Sequence, residues 1–155
     1  MKMNIGLNDK TLDKVSALLY QVLADEAALA FLTRDAHWNI TGPLFGPLHE
    51  LFGKQYDAVN ETIDDVAERI RALGRPVAGK MNELAKVVSL PSSGNTTGKA
   101  DKLIGSLLNS HEAIIRNLRK AVDETAKLGD NGTSDFLTGL MEAHEKTAWM
   151  LRSSL

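Results

Sequence analysis

The chain has no cysteine among its 155 residues. That excludes disulfides and thiolate metal sites, and it fits a reducing cytoplasm. Charge of one sign is also lacking. Eighteen Lys and Arg against twenty Asp and Glu leave a formal charge of −2, so no whole-protein attraction to nucleic acid or anionic membrane is expected. Met1 to Leu7 has no signal-peptide hydrophobic region, and no apolar run is expected to approach a membrane span. No strand pattern, internal repeat or second domain is visible. These absences leave one all-α domain over 1–155, cytoplasmic and without a membrane partner, long enough to bury a sizeable core.

Four helical stretches fill it, at about 8–38, 43–73, 98–128 and 134–153. Asn8 or Asp9 caps the first, with Leu12, Val15, Leu19 and Val22 on its apolar face. The turn Asn39-Ile40-Thr41-Gly42 is short, which makes the first two helices antiparallel neighbours, and Pro43 suits a first helical turn. Gly74-Arg75-Pro76 ends the second helix. A long connection, Arg75 to Thr97, then returns along it; Asn82 to Val88 forms a short helix there, and Pro91 to Gly98 is too polar and Gly-rich for regular structure. The last two helices are joined by Gly129-Asp130-Asn131-Gly132. The expected architecture is a four-helix bundle with one long crossover containing a short helix.

The chemistry concentrates between His37 and Glu68. Phe45, Leu48, Phe52, Tyr56, Val59, Ile63, Val66, Ile70 and Leu73 recur at spacings of three and four and define the core stripe of the second helix. Asp57, Glu61, Asp64 and Glu68 then fall almost opposite, with His49 on their shoulder. Imidazole and carboxylate together suit iron, zinc or manganese. His49 and Asp64 are fifteen residues apart on one helix, roughly 22 Å along its axis. One ion cannot bridge them within a chain. Two readings stay open on these residues alone. The stripe is a solvated acidic face with incidental histidines, or it is half of a metal site that an antiparallel second copy completes.

His37-Trp38-Asn39-x-x-Gly42-x-x-Phe45-x-x-x-His49-Glu50, then Asp64-x-x-Ala67-Glu68-Arg69, resembles the signature of the Dps proteins, or mini-ferritins. The likeness runs on to His144-Glu145-Lys146-x-Ala148-Trp149-Met150-Leu151. It implies a ferritin-like fold and a hollow dodecamer with ferroxidase centres at twofold interfaces. There Asp64 and Glu68 would hold the principal iron with a partner's His37, His49 would flank it, and Trp38 would be accessory. It also implies Fe²⁺ oxidation, with hydrogen peroxide preferred, and mineral storage that protects against oxidative damage. Asp135 and Glu145 match acidic residues that line iron pores. The chain departs from the family at Gly53, where an Asp or Glu ligand of the second iron usually stands.

Two further absences bear on function. Di-iron bundles commonly carry Glu-x-x-His pointing inward, and no such tetrapeptide occurs here. His111 and His144 fall within apolar stripes and are expected to be hydrogen-bonded core or interface residues. Trp149, with Asp135, Glu142 and Glu145, is expected on the outer face of the last helix, where an apolar side chain marks a subunit contact. Met1 to Asn8 has a single lysine and the sequence closes on Ser-Ser-Leu, so DNA binding is expected to be weak or absent. The alternatives are a DNA-compacting protein, or a cage whose intersubunit site holds zinc without turnover; zinc would also compete with iron.

Overall fold

The computed structural model describes residues 3–91 and 99–155. Among the described residues five helices follow in order: α1 Asp9–Asn39, α2 Phe45–Ala72, α3 Met81–Leu84, α4 Ala100–Lys127 and α5 Asn131–Arg152. No strand is present among the described residues. The helices pair as α1 with α2 and α4 with α5, and α1 also meets α4. Short links make each pair antiparallel. Arg75 at the end of α2 reaches Asp9 and Asp13 at the start of α1, and Glu112 of α4 holds Arg152 at the end of α5.

Helix ends follow local chemistry. The Asn8 side chain accepts from Thr11 N and opens α1, supplying one of the donors a helix start leaves unpaired. Gly74 has φ +74°, and Arg75 N bonds Ile70 O while Gly74 N bonds Arg71 O, a left-handed stop that glycine adopts without strain. The expected start of the last helix at 134 is too late. Asp130 accepts from Thr133 N and Thr133 Oγ1, which draws Asn131 and Gly132 into the first turn. Pro43 lies in the turn before α2, and Pro47 is the proline inside that helix's first turn. The short helix occupies Met81–Leu84, earlier than Asn82 to Val88, because Leu84 is its one buried anchor. The stretch 92–98, expected to be irregular, lies outside the described residues.

Buried Leu12, Val15, Leu19 and Val22 pack in the core as their spacing predicts. The α2 stripe differs in detail. Phe45 is exposed and Tyr56 and Ile63 are half-buried, while Gln55 is buried. Tyr56 instead lies edge-on to His37 and under the Arg34 guanidinium. Contrary to expectation, α1 holds an 18-residue window of mean hydropathy 1.5, apolar enough to cross a membrane by length and composition, and 56% of it is buried inside the protein. A central core helix meets the same description. The same helix buries Asp25, whose carboxylate accepts from Ser89 N, Ser89 Oγ and Gln21 Nε2 and so ties the crossover to the bundle. Arg69 joins α2 to α5 through Asp130 and Thr133.

Candidate metal centre

His37 ends α1 and His49 begins α2, and the tight turn between them sets their rings face to face, 3.6 Å apart at the centroids with 22° between planes. His37 Nδ1 lies 2.7 Å from His49 O, and His49 Nδ1 lies 2.9 Å from His37 O. A carbonyl oxygen can only accept, so each ring donates from Nδ1. In the neutral ring that leaves Nε2 unprotonated, the form that ligates metal. The His37 carbonyl belongs to the last turn of α1, which has no helical partner of its own, so the helix end and the ring orient each other. Neither Nε2 has a hydrogen bond among the described residues.

Gly53 completes this arrangement. A Cβ there would lie 3.4 Å from His37 Cε1 and 3.6 Å from its Nδ1. The backbone of α2 at Gly53 therefore faces the His37 ring with room for a methyl group between them.

Asp64 and Glu68 are exposed on α2, as are Asp57 and Glu61. They sit on the face away from the bundle, and neither Asp64 nor Glu68 has a hydrogen bond or ion pair among the described residues. The carboxylates are thus exposed, while His37 and His49 are half-buried. Within the chain they are not brought together, and no group of three His, Asp or Glu side chains among the described residues converges on one point. Exposed Phe45 stacks on His49 at 5.0 Å, and Trp38 (67% exposed), Phe31 and Leu44 are further exposed apolar side chains of α1 and the turn into α2.

On α5, Asp135 is exposed, whereas Glu145 is ion-paired with Arg119 of α4. Trp149 is 61% exposed, as its position opposite the core stripe predicts.

His111 and His144 are buried, but they form more than isolated core contacts. Their Nδ1 atoms are 2.9 Å apart, and His144 Nε2 lies 2.8 Å from Glu26 Oε1. Burial first, and the neighbouring His144 second, push His111 down to about 3, so its ring stays neutral. Gln55 is buried in the same part of the core with neither amide atom bonded. Glu26 and Gln55 escaped sequence reasoning. Glu26 sits in an Ala-rich run 118 residues from its partner, and no local spacing signals that pairing.

A four-helix bundle with one crossover and with imidazole and carboxylate groups on paired helices defines a ferritin-like protein. The pattern of the ferritin-like domain matches residues 16–155. The chain is 42% identical to a low temperature-induced protein of a Nostoc species, over 98% of this chain and 86% of that protein. It is 32% identical to DNA protection during starvation protein 2 of Bacillus anthracis, over 92% and 97%. Among solved structures it superposes on DpsC from Streptomyces coelicolor with a TM-score of 0.94 at 29% identity, covering 99% of this chain and 90% of that one. The Dps protein of Vibrio cholerae, described as a member of a broad superfamily of ferritin-like diiron-carboxylate proteins, gives 0.91 at 26%, covering 99% and 96%. Within the ferritin-like class, the chain belongs to the Dps family.

Proposed function

We propose that this protein oxidises and stores iron, with Fe²⁺ and hydrogen peroxide as substrates, at centres assembled between two copies of the chain. Asp64 and Glu68 of one copy hold the first ferrous ion with His37 of the partner subunit, and His49 of the partner subunit flanks it. Imidazole nitrogen with carboxylate oxygen is a donor set suited to iron, and the diiron-carboxylate description of the Vibrio relative supports the same cargo.

The observation that carries this reading is the reciprocal Nδ1–carbonyl lock of His37 and His49. It fixes two half-buried rings in parallel, each with Nε2 as its only free nitrogen, with exposed Phe45 stacked on His49. A core histidine pair would bond inward, and solvated histidines would not be held from the backbone on both sides. A second copy across a twofold axis would cover Trp38, Phe31 and Phe45 while bringing its own carboxylates to the rings, a closed isologous contact. Twelve copies in a hollow shell is the assembly proposed.

In the reaction each of two ferrous ions gives one electron to one peroxide. The O–O bond breaks, and with two waters the products are two ferric oxyhydroxide units and four protons. The chain's part is to hold the ions close with bare nitrogen and carboxylate donors. Gly53 offers no carboxylate beside His49, so the flanking position relies on water and is the weaker of the two. Exposed Asp135 is the acidic group proposed to draw iron inward; Glu145 is held by Arg119 and contributes less.

Anaerobic loading with Fe²⁺ followed by peroxide, watched by ultraviolet absorption of the ferric product, tests the proposal. Asp64→Ala should slow the rate at least tenfold with assembly unchanged. A rate equal to the unmodified protein would place the chemistry elsewhere.

A further inference from the structure

Five buried side-chain polar atoms have no partner among the described residues, and four of them belong to Glu26, Gln55 and His111. Together with His144 these residues supply one polar side chain from each long helix, all buried in the bundle core. Unpaired buried polar atoms are rare and each calls for an occupant or a role.

The hydrogen bonds dictate the cause. The Glu26 carboxylate accepts from His144 Nε2, so a neutral His144 has a bare Nδ1. His111 must then donate from its own Nδ1 across the 2.9 Å contact. That leaves His111 Nε2 bare in the core, on a cavity that the unpaired Gln55 also lines. If the proton between the two Nδ1 atoms were replaced by a cation, both Nδ1 atoms would be ligands and both Nε2 atoms would carry hydrogen. His144 would keep Glu26 as acceptor, and His111 would gain an N–H on a cavity that Gln55, with its Oε1 unpaired, also lines.

We infer that His111 and His144 bind a divalent transition-metal ion between their Nδ1 atoms, with Glu26 and Gln55 orienting the two rings from behind. Two nitrogens on one ion at bonds of about 2.1 Å lie roughly 3.0–3.4 Å apart when the ion sits off the line between them, so the observed pair must open by a few tenths of an ångström and each ring must turn to aim its Nδ1 lone pair at the ion. A carboxylate on the far nitrogen of a ligating imidazole is the usual orienting partner. A cavity of about 330 Å³ between α2 and α5, lined by Gln55, His111 and His144, gives a way in and room for the waters that complete the coordination. The protein supplies only two ligand atoms, consistent with the lack of any three converging His, Asp or Glu groups among the described residues. Imidazole donors select zinc, copper, nickel or iron over magnesium and calcium. This site is separate from the one on the outer face of α2 and does not depend on it.

Co²⁺ is the probe. Metal-stripped protein carrying His37→Ala, Asp64→Ala and Glu68→Ala is dialysed against Co²⁺, and bound metal and visible d–d absorption are measured. One Co²⁺ per chain is expected. His111→Gln in that background should abolish it, and Glu26→Gln, which keeps both nitrogens, should weaken it by roughly 10- to 100-fold. Circular dichroism and light scattering check the fold; if His111→Gln does not fold, Glu26→Gln carries the test. No bound Co²⁺, or binding indifferent to both substitutions, would overturn the site. Failure of the iron-oxidation proposal would show differently, as undiminished oxidation in the triple variant.

Discussion

The imidazoles of His37 and His49 are each held by the other residue's backbone carbonyl, at 2.7 and 2.9 Å. Because the acceptors are backbone atoms, removing one side chain leaves the other ring's anchor in place. The two ligands are therefore separable by mutation. His37→Ala should slow peroxide-driven iron oxidation more than His49→Ala, since His37 serves the first ion and His49 the flanking one. Initial rates at limiting Fe²⁺ give the comparison. If His49→Ala proves the more damaging, the two roles are reversed.

Gly53 separates sterics from ligation. Gly53→Ala places a Cβ in ordinary contact with His37, at 3.4 Å, removes a helix-interior glycine worth about 1 kcal/mol, and should raise thermal stability with little change in rate. Gly53→Asp adds a carboxylate one turn from His49 and should tighten the second Fe²⁺ and speed oxidation at low iron. Anaerobic calorimetry of both variants decides this. Two equally tight sites in the unmodified protein would show that the glycine leaves the centre unimpaired.

Much of this was legible in the sequence because the α4 and α5 faces are periodic and α1 opens on regularly spaced apolar residues. Val15, Leu19, Leu107, Leu118, Leu137 and Leu151 are all buried as their spacing requires. Phe45 was misplaced for a physical reason: it continues the spacing of the stripe but lies in the first turn of α2, beyond the bundle, where it stacks on His49. Spacing put His49 and Asp64 far apart on one helix, but it could not show the stacking of His37 on His49, which depends on the tight turn between α1 and α2. Glu26 and Gln55 were invisible because their meaning lies in partners on other helices.

Acid stability should report on the core. His111 in the folded chain is held at about 3 against an ordinary 6.5, by burial first and by His144 second. The unfolded chain therefore binds this proton more readily between those values, and folding stability falls as pH drops through that window. Above pH 6.5 this group contributes no slope. The loss from it alone is about 1.4 kcal/mol per pH unit. Urea unfolding of metal-free protein at pH 7, 5.5 and 4.5 should show a shallower acid loss for His111→Gln than for the unmodified chain. Equal losses would mean that His111 does not carry the acid loss.

The claim that matters most is that one chain brings the histidines and another the carboxylates, and mixing two inactive variants tests it. One variant carries His37→Ala with His49→Ala; the other carries Asp64→Ala with Glu68→Ala. Each alone should oxidise Fe²⁺ only at the background rate. Unfolded together and reassembled in equal amounts, half the twofold pairs are mixed, and each mixed pair has one intact site and one doubly broken one. The account predicts recovery of roughly a quarter of the sites, read as the initial rate with peroxide. Reassembled mixtures that remain as slow as either parent, with cages of normal size, would contradict it.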